Sequence, residues 1–466
     1  MCCCKDMPKR FSKHINTLTA RLADWRMRTI PDGAFIFIVA SVIGALAGLT
    51  AHILKWLIGI ISAFAIGNAQ PDVMNYRLLI FPCIGLVLTS LYSRYIARAD
   101  MAHGTSKLIR DVRSGHFNLP SRFIYSPVVG CSLTMGLGGS AGAEGPIAYS
   151  GAAIGSSLGR LFKVSPRFMM ILFGCGAAAA IAGIYKAPIG GALYTLEVLK
   201  LELSTLSVIA LLTTCLIASM VSFSMSAYSP DVSFVQHTMF DPSILPAVVV
   251  LGIFLGLYSL IYFKTMRGVG GLLVKVKNTL AKNIIAGLIL AALVFLFPSF
   301  FGEGLGSMER VLDGDFRHVV DSGALYSLAD SGFAVIMIFG LSLLAKAVAV
   351  GTTNYGGGVS GNFTPTLFAG CMAGLFFAMT SNALFGTTFD TANFALMGMA
   401  GVMAGVIRAP LMAIFLTTEI TQNLNLLLPI TLSAAISFCI VKIFSKRPFF
   451  QSVYIIEDLK EPSDKE

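Results

Sequence analysis

Long stretches of this chain carry no Asp, Glu, Lys or Arg, among them residues 78–93, 242–263, 283–302, 347–389 and 420–441. About 20 apolar residues, each rising about 1.5 Å in a helix, cross the hydrocarbon core of a bilayer. Lipid offers no hydrogen bonds, so such segments must satisfy their own backbone, which a helix does. The expected class is therefore an all-α polytopic membrane protein. Composition agrees, because 55% of the 466 residues are hydrophobic and only 12% are charged, about half the charge of an ordinary soluble chain.

The net charge of +10 does not point to nucleic acid, because the basic residues gather at the start of the chain and in short loops, without aromatic interleaving on one surface. Residues 1–33 hold Lys5, Lys9, Arg10, Lys13, Arg21, Arg26 and Arg28 against Asp6, Asp24 and Asp32. That bias predicts a cytoplasmic N-terminal segment by the positive-inside rule. A cytoplasmic tail is expected at 456–466, so both termini face the cytoplasm. The first apolar run is too long for a signal peptide and lacks a small-residue cleavage site, which leaves a multi-pass protein of the cell (inner) membrane. Cys83, Cys131, Cys175, Cys215, Cys371 and Cys439 stand alone among apolar residues and read as packing, and Cys2 to Cys4 as a short tail. The six histidines read as lacking convergent partners at metal or nucleophile spacing, so no metal, cofactor or enzymatic centre is expected.

Apolar stretches imply roughly a dozen helices, of which 187–196, 391–407 and 409–418 are too short to span and are interrupted by Gly or Pro. The chain also repeats itself. The pattern G-x5-A-G-x2-[KR]-A-P-x8-E runs through Gly176, Ala182, Gly183, Lys186, Ala187, Pro188 and Glu197, and again through Gly398, Ala404, Gly405, Arg408, Ala409, Pro410 and Glu419. Upstream of each copy a Gly-rich segment ends in a helix-starting proline, Pro146 or Pro365. A membrane unit at 34–455, made of repeats at about 34–230 and 240–455, follows. Paired broken helices at matching positions are the sequence pointer to a transporter's central site.

G-G-S-A-G-A-E-G-P spans Gly138 to Pro146. Glycine lets backbone approach a ligand, and a first-turn proline leaves the remaining helix N–H groups pointing outward, where they attract anions. Glu144 is the only charged residue between Phe123 and Gly159, and a carboxylate deep in a membrane costs on the order of 3 kcal/mol. It reads as an acid that takes the anion site itself and leaves when protonated or displaced. G-G-G-V-S-G-N-F-T-P, Gly356 to Pro365, lies inside the longest charge-free run. An anion there would be held by amides around Asn362 and Phe363 and by helix dipoles, weakly enough to leave again.

The motifs G-A-E-G-P (Gly142, Ala143, Glu144, Gly145, Pro146) and G-N-F-T-P (Gly361 to Pro365), with the duplicated A-P-x8-E blocks, resemble the CLC family of chloride channels and chloride/proton antiporters. The resemblance covers about 34–455. It implies the CLC fold: two inverted-topology repeats whose broken helices meet at a midplane anion site, in a homodimer with one ion path per subunit. It also implies chloride and protons as the transported partners, the lipid bilayer as surroundings, and Glu144 as the gating, proton-carrying glutamate. Gly142, Ala143, Gly145, Asn362 and Phe363 fall on the anion site, and Glu197 on a structural glutamate.

The sequence departs from the family at several points. Its first signature appears as Ala102, His103, Gly104, Thr105 and Ser106, which puts His103 and Gly104 at the central anion and a titratable imidazole there. Ala143 stands where the family usually has Arg or Lys. The family's inner tyrosine matches Tyr454, with Phe450 as the competing register. Val198 occupies the place of the second, inner proton glutamate, with Glu202 nearby. Chloride/proton antiport is therefore the expected function, a passive chloride channel its rival, and a fluoride transporter a more distant one.

Overall fold

The computed structural model describes residues 31–67, 73–99, 101, 103–201, 204–226, 241–328 and 332–445. Among them the first half contributes helices α1 (Asp32–Ile66), α2 (Phe81–Leu91), α3 (Gly104–Arg113), α4 (Ser126–Gly136), α5 (Glu144–Leu161), α6 (Pro166–Tyr185), α7 (Pro188–Leu193) and α8 (Thr205–Met225). The second half contributes α9 (Leu245–Val274), α10 (Thr279–Leu296), α11 (Leu305–Leu312), α12 (Gly332–Tyr355), α13 (Phe363–Phe385), α14 (Thr391–Ile407), α15 (Pro410–Thr421) and α16 (Leu427–Phe444). Among the described residues, eight helices are long and apolar enough to cross a membrane. Outward-facing Ile, Leu and Phe, such as Phe64, Leu216 and Leu288, cover their outer surfaces, as a lipid-facing exterior requires. The protein is a multi-pass membrane protein with an all-α fold.

There are more helices than the dozen expected, because apolar composition continues through breaks that backbone geometry enforces. The stretch from Phe123 divides where Gly138 takes φ 102° between α4 and α5. Helix α7 ends in a π-turn at Tyr194–Val198, the wider i→i+5 coil often found at functional sites.

The repeated motif is a helix-stop, helix-start device. Lys186 and Arg408 both end their helices in the left-handed region, at φ 55° and 63°, and donate their N–H to Ala182 and Ala404. The following proline cannot continue a helix but suits the first position of the next one, so α7 and α15 begin at Pro188 and Pro410.

Matching helices pack in matching ways. Gly151 and Gly155 of α5 press on Gly176 and Leu172 of α6, while Gly370 and Gly374 of α13 press on Gly398 and Phe394 of α14. Each glycine of the first crossing has its counterpart in the second, and side chains on either would strike backbone. Small residues permit this close approach of helices in a membrane.

The halves meet in a locally two-fold arrangement at Gly142 and Gly361. These repeat-equivalent glycines form an isolated antiparallel bridge, exchanging N–H to O bonds of 3.0 and 2.6 Å. From this shared origin α5 and α13 start on antiparallel strands of chain and diverge, the inverted relation expected of the repeats.

Candidate functional site

Where α5 and α13 begin, neither helix is capped by its own N-cap side chain, Ala143 or Asn362. Pro146 and Pro365 occupy the third position of each helix, where a missing N–H costs nothing. The free donors of α13 are taken by Glu144. Its carboxylate is fully buried, and its Oε1 accepts from the Thr364 N–H, the Thr364 hydroxyl and the Tyr185 hydroxyl. The two hydroxyls also touch each other at 2.7 Å. Its Oε2 has no hydrogen-bond partner.

The chain around Glu144 is shaped to admit that carboxylate. A Cβ on Gly142 would lie 2.6 Å from the Glu144 carboxyl carbon, and one on Gly361 would lie 2.7 Å from the Gly145 nitrogen. Gly145 in turn meets α3: a Cβ there would be 3.2 Å from both the nitrogen and the hydroxyl of Thr105, and one on Gly104 would be 2.6 Å from the Gly145 carbonyl oxygen. Three helix N-termini, of α3, α5 and α13, therefore converge at one buried place. Their positive dipole ends make it an anion-seeking environment.

Two further hydroxyls face this place. Tyr194, in the π-turn after α7, is fully buried, with its ring edge-on to Phe363 at 5.7 Å between centroids. Its hydroxyl faces that of Thr105, yet neither has a partner at bonding distance. Buried hydroxyls without partners are rare and call for an explanation.

The sequence-predicted residues distribute as follows. Gly142, Ala143, Glu144, Gly145, Gly104, Gly361 and Phe363 come together at the convergence. Asn362 lies beside it, but its side chain accepts from Asn354, which also accepts from Ser360 at 2.6 Å. His103 is buried at the N-cap of α3 at φ 54°, with its ring 5.1 Å from that of Tyr355. Glu197 lies apart, accepting from Leu411 and Met412 at the start of α15 at 3.2 and 2.8 Å. Val198 is buried at the end of the π-turn. Tyr454, Phe450, Glu202 and Ala102 lie outside the described residues.

Sequence reasoning missed Tyr185, Thr364, Thr105 and Tyr194, as well as Lys346. This lysine is almost fully buried in α12 and donates to the Ser140 hydroxyl at 3.0 Å. Its Nζ sits 4.2 and 5.0 Å from the ring centroids of Phe368 and Phe300. A comparison of the two repeat copies would have flagged Tyr185, because the matching position holds Ile407.

Known proteins with this architecture are numerous. A putative chloride channel protein, ClcB-like, of Ralstonia nicotianae is 26% identical over 363 residues, 76% of this chain and 80% of its own length. The H(+)/Cl(-) exchange transporter ClcA of Vibrio campbellii is 22% identical and covers 91% of this chain and 90% of its own. In fold, the chain is similar to a slow cyanobacterial Cl-/H+ antiporter, with a TM-score of 0.77 at 21% identity over 92% of this chain and 99% of that one. It is also similar to a CLC-type fluoride/proton antiporter, at 0.69 and 22% over 89% and 97%. Residues 84–442, most of the membrane portion, match the voltage gated chloride channel family, and the chain belongs to it.

Proposed function

We propose that this protein moves chloride across the cell membrane in exchange for protons, and that Glu144 gates the path by competing with chloride for the donors at the start of α13. The observation that carries this reading is the buried Glu144 carboxylate on the amide and hydroxyl of Thr364. An ionised acceptor binds such donors about twice as strongly as a neutral one. Protonation therefore loosens the glutamate's hold and lets chloride replace it, while chloride arriving from one side drives the acid off in a form that can take up a proton. One group thereby couples two ions. The hydroxyls of Thr105 and Tyr194 offer further donors for chloride. The relative from Vibrio campbellii that covers 91% of this chain is named an H(+)/Cl(-) exchange transporter, which supports the coupling.

A passive chloride channel of the same fold is the second reading, and Val198 favours it, because a valine side chain cannot relay a proton. The domain limits at 34 and 455, cytoplasmic termini, the inner-membrane setting and a homodimeric state belong to the same proposal.

Purified protein in chloride-loaded liposomes separates the readings. Exchange predicts that an outward chloride gradient drives protons inward, and that Glu144→Gln keeps chloride flux but abolishes proton movement. Chloride flux that moves no protons in the unaltered protein would assign the channel instead.

A further inference from the structure

The pseudo-two-fold symmetry fails at three positions that matter. Where the first half has Glu144, the second has Phe363; where it has Tyr185, the second has Ile407; and the second half's Thr364 corresponds to Gly145. One acid and two hydroxyls thus replace apolar or absent side chains, and both hydroxyls converge with the Thr364 amide on one oxygen of that acid.

Tyr185 is held rigidly for this contact. It is the last residue of α6, buried, and followed by the left-handed stop at Lys186. The Lys186 side chain is itself anchored with its Nζ 5.4 Å from the Phe223 ring centroid. If the carboxylate moves away, the phenol stays with the end of α6. Its hydroxyl would then keep only Thr364, at 2.7 Å.

We propose that Tyr185 is a latch: a positioning residue whose hydroxyl, together with that of Thr364, holds Glu144 in the occupying position and so sets how much chloride is needed to displace it. The proposal rests on the reading of Glu144 as the competing acid.

The test uses Tyr185→Phe, which keeps the ring and removes the hydroxyl. Calorimetric chloride binding should tighten by about tenfold, the order expected for one hydrogen bond to a charged group. In a Glu144→Gln background the same substitution should leave chloride affinity unchanged, because the charged partner is gone. Tyr185→Ile, which installs the residue of the equivalent position in the second half, should act in the same direction as Tyr185→Phe and keeps the proposal testable if Tyr185→Phe does not fold. If Tyr185→Phe and Tyr185→Ile leave chloride affinity unaltered while Glu144→Gln changes it, the latch is wrong and the competing-acid reading stands. If Glu144→Gln itself changes nothing, both fall together.

Discussion

Glu197 and Glu419 cap each other's half of the molecule. Glu197 accepts from Leu411 and Met412 at the start of α15, and Glu419 accepts from Ile189 and Gly190 at the start of α7, at 2.9 and 2.7 Å. The four amides are repeat-equivalent, as are the two acids. Each carboxylate meets the positive end of a short helix whose own N-cap residue is alanine and cannot cap it. Glu197→Gln and Glu419→Gln should each lower stability by about 1 kcal/mol, and alanine at either site by about 2 kcal/mol. Thermal unfolding in detergent should show similar shifts for the two sites. A large loss at one and none at the other would break the symmetry argument.

Gly142 leaves the space that the Glu144 carboxylate fills. A Cβ there would lie 2.6 Å from the carboxyl carbon, closer than packed atoms come. Because the colliding group is the end of a flexible side chain, Gly142→Ala should displace the glutamate and leave the fold intact. We expect chloride to bind several-fold tighter and proton movement per chloride to drop, as in Glu144→Gln. Liposome flux with paired chloride and pH electrodes measures both. Unchanged coupling in a folded Gly142→Ala protein would place the carboxylate elsewhere during transport.

The frame of the site was legible because its signals are punctuation. Gly142, Pro146, Gly361 and Pro365 break apolar runs, Glu144 is a lone charge, and Glu197 and Glu419 recur at a fixed spacing, so each stands out from its neighbours in one dimension. Tyr185, Thr364, Thr105 and Tyr194 do not. A hydroxyl on an apolar helix looks like ordinary packing until the fold brings positions 185 and 364 onto one carboxylate oxygen. Lys346 was silent for a different reason: it borders the charge-free run at 347–389 and reads as the run's edge, although in space it lies inside. Helix breaks within continuous apolar sequence, as between α4 and α5, depend on the φ of single glycines such as Gly138, which composition does not encode.

The facing hydroxyls of Thr105 and Tyr194 predict opposite effects on stability and binding. Each is buried without a partner at bonding distance, so removing it sacrifices no internal hydrogen bond and relieves an unsatisfied group. Tyr194→Phe and Thr105→Val should therefore leave thermal stability unchanged or raised. If these hydroxyls donate to chloride, each substitution should weaken calorimetric chloride binding by about 1 kcal/mol, roughly fivefold. Equal affinity in both variants would remove Thr105 and Tyr194 from the anion path.

Ser140 and Lys346 supply a last test, in which the smaller change does more harm. Lys346 is buried with Ser140 as its hydrogen-bonding partner and with Phe368 and Phe300 around its Nζ. Replacing the lysine by methionine keeps the length of the side chain among those rings and removes the buried amine, leaving the neutral Ser140 hydroxyl as the one group deprived of its partner, a smaller cost than a stranded amine. Ser140→Ala instead leaves the lysine buried and deprives its Nζ of an acceptor, which costs about 1–3 kcal/mol. Ser140→Ala should thus unfold at a lower temperature than Lys346→Met, and the Ser140→Ala/Lys346→Met double variant should recover most of the loss. Recovery identifies the stranded amine as the source of the defect, whereas additive losses would show that Ser140 and Lys346 contribute to stability independently.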